Sequence, residues 1–116
     1  MSLPFRVDLS EQQLRAIEDW ARLTPLVKAV RLFGSRAKGC ARPDSDVDLA
    51  ITVAGADFKT ITENYVRHAH LWEEDLSKAL ELEVEVCQYN SFHHGRPRRF
   101  CDECSVVLFP TDEPLP

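Results

Sequence analysis

Apolar positions along the chain change period from one stretch to the next, and each period predicts an element. Ser10-Glu11-Gln12-Gln13 has the form of a capping box, followed at helical spacing by Leu14, Ile17 and Ala21, with Trp20 and Leu23 widening the apolar face. A first helix closed by Pro25 follows from this pattern. Two apolar runs, Lys28 to Phe33 and Val47 to Val53, predict strands. Between them Gly34 breaks the first run, Ser35-Arg36-Ala37-Lys38 starts a short helix, Gly39 ends it as a left-handed cap, and Ala41 to Ser45 loop back. Gly55-Ala56-Asp57 reads as a turn capping a long helix from about Phe58 to Leu80. Its apolar stripe is Ile61, Tyr65, His68, Trp72, Leu76 and Ala79, which makes His68 a core or boundary histidine and leaves His70 facing solvent. Glu63, Arg67, Glu73, Glu74 and Lys78 form the opposite, solvated face.

Beyond the long helix the period falls to two. From Leu82 to Gln88 the chain alternates as a strand, with Glu83 and Glu85 on one face and Val84 and Val86 on the other. Asn90-Ser91-Phe92 opens a basic segment through Arg96, Arg98 and Arg99, predicted as a short helix, before a last strand at Val106 to Phe109 and a frayed tail over residues 110–116. There is no internal repeat, low-complexity region or linker. The pattern predicts one domain over residues 1–116, of α/β (α+β) class, with a small mixed β-sheet and helices packed against it.

Composition narrows the function classes. At 116 residues and 44% hydrophobic, the chain is long enough for one core and too short for two. A net charge of -5 argues against a general nucleic-acid binder, which usually presents a basic face. No window approaches a membrane span, and Met1-Ser2-Leu3-Pro4 lacks a signal-peptide pattern, so a cytoplasmic protein is expected. Cys40, Cys87, Cys101 and Cys104 are then expected to be thiols rather than a disulfide framework.

Chemistry concentrates between residues 33 and 51. Ten residues separate Gly34-Ser35 from Asp46, and Asp48 follows at the alternate position. Along a strand Asp46 and Asp48 point to one face while Val47 and Leu49 point into the core. Two carboxylates on one face repel each other, and a cation relieves the repulsion; hard oxygen ligands favour Mg2+ or Mn2+. Opposite them, the turn at Gly34-Ser35 exposes backbone N–H groups suited to phosphate. The stretch reads as a phosphate cradle facing a divalent metal site.

Phe33-Gly34-Ser35-Arg36-Ala37-Lys38-Gly39 with Pro43-Asp44-Ser45-Asp46-Val47-Asp48-Leu49 resembles the signature of the DNA polymerase beta-like nucleotidyltransferase superfamily, and in its extended form is similar to the minimal nucleotidyltransferase (MNT) branch, the antitoxin type. The likeness follows the order of elements over most of the chain, although only Phe33 to Ile51 is specific in sequence. It implies a nucleotidyltransferase fold and transfer of a nucleoside monophosphate, AMP from ATP, to an acceptor hydroxyl. By the same resemblance Asp46 and Asp48 bind two Mg2+ or Mn2+ ions, and Glu85, aligned through Val84-Glu85-Val86-Cys87, is the third carboxylate that completes the second metal site or accepts the proton, with Glu83 a rim neighbour. The family more often has Asp where Glu85 stands, and Glu is one methylene longer. Ser35 and the amides after Gly34 would hold the beta and gamma phosphates, and Arg36 and Lys38 would neutralise charge.

Larger relatives carry an acceptor-binding domain for which this chain has no residues left, so a partner must supply the acceptor. Minimal members resemble antitoxins that add AMP to a tyrosine of a helical HEPN-type toxin, and such a toxin is the partner the resemblance implies. A homodimer through the third-strand edge or the long helix is open alongside it. The alternative reading is a catalytically silent nucleotide- or partner-binding module acting by complex formation, favoured by the Glu at position 85 and opposed by the intact Asp46 and Asp48. Cys101-x-x-Cys104 has the spacing of half a zinc site, with His93, His94 or Cys87 as completions, against small buried thiols at a helix end.

Overall fold

A computed structural model describes residues 7–39, 41–89 and 106–109. The predicted basic segment, the Cys101/Cys104 pair with His93 and His94, Cys40, and the 110–116 tail lie outside the described residues.

Helix α1 (Glu11–Arg22) begins where Ser10 and Gln13 complete the reciprocal capping box, each side chain bonding the other's backbone N–H. Strand β1 (Val27–Phe33) leads into the short helix α2 (Ser35–Lys38), capped by Gly39 in the left-handed conformation at φ 76°. Strand β2 (Val47–Val53) and helix α3 (Phe58–Leu80) follow, and the Asp57 side chain caps α3 by accepting from the Thr60 N–H. Strands β3 (Val84–Gln88) and β4 (Val106–Phe109) complete the described elements.

The four strands form one mixed sheet in the order β3-β2-β1-β4. β1 runs antiparallel to β2 and β4, whereas β2 and β3 are parallel, joined by α3 as the crossover. Strand parity then divides the sheet into two faces. Val30, Leu32, Val47, Leu49, Ile51, Val53, Val84, Val106 and Leu108 pack against Ile17 and Ala21 of α1 and Ile61, Trp72, Leu76 and Leu80 of α3. Burying each of the large aliphatic side chains contributes about 2 kcal/mol. The second face carries Asp48, Glu85 and Arg31, together with the buried Ala50.

Three expectations about helix faces need correction. Leu23 is 80% exposed because α1 stops at Arg22 and Leu23 is only its cap. Ala79 is exposed and Leu80 takes the inward position, since the α3 stripe drifts by one residue over so many turns. Glu73 is half-buried rather than solvated: its Oε2 accepts a hydrogen bond from the Val86 N–H at 3.0 Å. His68 does lie at the core boundary, with Nδ1 2.8 Å from the Asn64 carbonyl and its ring stacked on Trp72, while His70 is exposed and pairs with Glu74.

Candidate active site

The parallel register of β2 and β3 brings the acidic residues together. Val47 stands opposite Val84 and Asp48 opposite Glu85, and the Val47 N–H donates to the Glu83 carbonyl at 2.8 Å. Residues of one parity therefore share the second face as neighbours: Asp46 beside Glu83, Asp48 beside Glu85. One carboxylate oxygen each from Asp46, Glu83 and Glu85 lies within 4.8 Å of the others. Such a donor set, all hard oxygens on an exposed surface, fits a divalent cation of the Mg2+ or Mn2+ kind.

Glu83 thus stands inside the cluster where sequence reading placed it at the rim. The period of two showed that Glu83 and Glu85 share a face, but only the register with β2 shows that Glu83 meets Asp46. Asp48 is half-buried, and its pKa is raised first by burial and then by the charges of Glu85 and Asp46. The shift records an electrostatic load on the site that a bound cation would relieve.

On the other side of Asp48 the chain turns at Gly34. Phe33, the last residue of β1, pairs with Asp48, so the turn that follows is held against the carboxylate. Gly34 has φ 79° and ψ -160°, a conformation that suits glycine, and a Cβ there would come within 2.6 Å of Asp48 Oδ2. Both the backbone and the close approach demand the absence of a side chain. Ser35 opens α2 immediately beside this contact.

Arg36 has a task that sequence reading did not assign. The side chain is 7% exposed and donates to the carbonyls of Ser45, Asp8, Arg42 and Pro43, with distances from 2.8 to 3.4 Å. Its donors are spent on Asp8 and on the loop that carries the chain to Asp46. Asp8 closes the same arrangement, with its N–H donating to the Arg36 carbonyl and its Oδ2 accepting from the Ala41 N–H. One signal was available: a loop of Ala41 to Ser45 folded back on itself needs donors for its carbonyls, and Arg36 is the long donor beside it. Lys38 is the last residue of α2, and its side chain lies outside the described residues.

The family model described as "Nucleotidyltransferase domain" matches residues 14–107. The chain belongs to this family. As a nucleotidyltransferase domain, it shares its fold with a solved crystal structure of "the toxin-antitoxin with AMP-PNP", at TM-score 0.65 and 20% identity over 87% of this chain and 76% of that one. It is also similar to a crystal structure of the toxin-antitoxin MntA-HpeT carrying two aspartate-to-glutamate substitutions, at TM-score 0.62 and 16% identity over 88% of this chain and 76% of that one. Among curated proteins none matches. No helix among the described residues is long and apolar enough to cross a membrane.

Proposed function

We propose that this nucleotidyltransferase domain is a metal-dependent enzyme that moves AMP from ATP to an acceptor hydroxyl on a partner toxin, and so acts as an antitoxin. The observation that carries the reading is the register that sets Asp46 and Asp48 beside Glu83 and Glu85, directly next to the Gly34-Ser35 turn. Asp46, Glu83 and Glu85, with Asp48 behind them, would hold the divalent ions. Bound there, the ions would neutralise phosphate charge and lower the pKa of the attacking hydroxyl. Ser35 and the backbone following Gly34 orient the beta and gamma phosphates, so that pyrophosphate departs opposite the incoming oxygen. Glu85, exposed on β3, completes the metal site or accepts the proton that the acceptor hydroxyl loses as its oxygen bonds to the alpha phosphorus.

A fold neighbour crystallised with AMP-PNP supports ATP as donor. The substituted aspartates of the MntA-HpeT neighbour lie at alternate positions, the spacing that Asp46 and Asp48 also show. The toxin–antitoxin character of both neighbours supports a toxin as acceptor, of the helical HEPN type by the sequence resemblance. Asp46→Ala with Asp48→Ala is expected to abolish transfer of label from alpha-labelled ATP to a co-purified partner, which in the parent protein gains the mass of one AMP. Retained transfer in the double variant would overturn the assignment.

A further inference from the structure

Three side chains of α3 reach past the core face and engage the outer edge of β3. The Ser77 Oγ accepts from the Val84 N–H at 3.1 Å, the Glu73 Oε2 accepts from the Val86 N–H at 3.0 Å, and the Tyr65 hydroxyl donates to the Val86 carbonyl at 3.0 Å. The register explains why these groups need partners. Val47 N–H bonds to Glu83, and Tyr89 N–H to Ile51, so residues 83, 85, 87 and 89 direct their backbone groups toward β2. The backbone groups of Val84 and Val86 point the opposite way, off the edge of the sheet.

β3 is the edge strand among the described residues, and a five-residue edge held on one side by a parallel neighbour is prone to slip and fray. A slip here would move Glu83 and Glu85 away from Asp46. Glu85 lies between the two clamped residues, and Val86 is gripped at both its N–H and its carbonyl. Burial raises the Tyr65 pKa to about 12, with Cys87 and Glu73 adding to the shift, which agrees with a hydroxyl held as a donor in partly buried surroundings.

Resting on the metal site proposed above, we infer that Glu73 and Tyr65 are positioning residues: they lock the outer edge of β3 and thereby set Glu83 and Glu85 at the distance from Asp46 that binds a divalent ion. Both act through the backbone of Val86. Direct binding of Mn2+, followed by electron paramagnetic resonance on the full chain, tests this together with thermal unfolding. Glu73→Ala is expected to weaken Mn2+ binding by about 10-fold, the scale on which groups supporting metal ligands act, with Tyr65→Phe weaker by a smaller factor. Glu73→Gln, which keeps an acceptor oxygen, is expected to restore the affinity. Leu108→Val, on the strand at the far edge of the sheet, serves as a core-destabilised control whose Mn2+ affinity should match the parent.

Unchanged affinity in Glu73→Ala, or an equal loss in Leu108→Val, would overturn the positioning role while leaving the metal site standing. Absence of Mn2+ binding by the parent chain would instead remove the metal site and this inference with it. Should Glu73→Ala fail to fold, Tyr65→Phe, which loses only a hydroxyl, decides in its place: parental affinity in that variant would overturn the role.

Discussion

The two strands that supply the carboxylates are held in different ways. β2 lies inside the sheet, paired on one side with β1 and on the other with β3, so Asp46 and Asp48 inherit their positions from two ladders. Among the described strands β3 is at the edge, and its outer side is held by three side chains of α3. The half of the site on β2 is thus built into the fold, and the half on β3 depends on particular polar groups. The approach to β2 repeats the second strategy: the loop before Asp46 is pinned by Arg36 and Asp8 rather than by a ladder.

The sharpest way to break the difference is at that loop. Arg36→Ala removes the donors from four carbonyls and leaves a cavity in a nearly closed site. A loss of about 3 kcal/mol is expected, since each carbonyl left buried without a partner costs on the order of 1 kcal/mol or more. Chemical denaturation measures it directly. If Arg36 instead served the phosphates, stability would hold and only ATP binding would fall.

Next in size is Gly34→Ala. The left-handed φ of 79° costs a non-glycine residue about 1–2 kcal/mol, and the added Cβ would press on Asp48 Oδ2 at 2.6 Å. Transfer activity is expected to fall further than stability accounts for, because the displaced group is a carboxylate of the proposed site. Activity compared with the unfolding free energy of the same preparation separates the two effects, and a proportionate loss of both would mean that Asp48 is not disturbed.

How much of this was legible beforehand follows the same division. Elements with a strong period were readable: α1 from its capping box, α3 from Asp57 and its stripe, and β2 and β4 to the residue. The closeness of the Gly34 turn to Asp48 was legible because both lie within one short stretch of chain. Glu83 and Glu73 were harder, because their places depend on a register between segments far apart in sequence. Periodicity assigns a residue to a face, and on that ground Glu73 reads as solvated. A long polar side chain near the helix flank can nonetheless reach a strand edge, and only the packing angle of α3 against β3 decides it. The inward turn of Arg36 was legible only in part: the loop carbonyls it meets follow closely in sequence, whereas Asp8 lies far up the chain.

The smallest expected effect concerns charge within the well-held strand. Asp48 binds its proton more tightly in the folded chain than its ordinary value of 3.8 implies, through burial first and the neighbouring Glu85 and Asp46 next. For a raised carboxylate the linkage runs opposite to the usual case: its favourable contribution is complete below 3.8 and is lost as pH rises through the raised folded value. Asp48→Asn, which keeps the shape and removes the charge, should therefore unfold at a higher temperature than the parent at pH 7 in chelator, with the advantage closing as pH falls below 3.8. Adding Mn2+ at pH 7 should reverse the order, because the ion stabilises only the chain that binds it well. A variant no more stable than the parent at pH 7 would show that β2 carries Asp48 without electrostatic cost, and the contrast between a strand fixed by its ladders and an edge fixed by side chains would then rest on geometry alone.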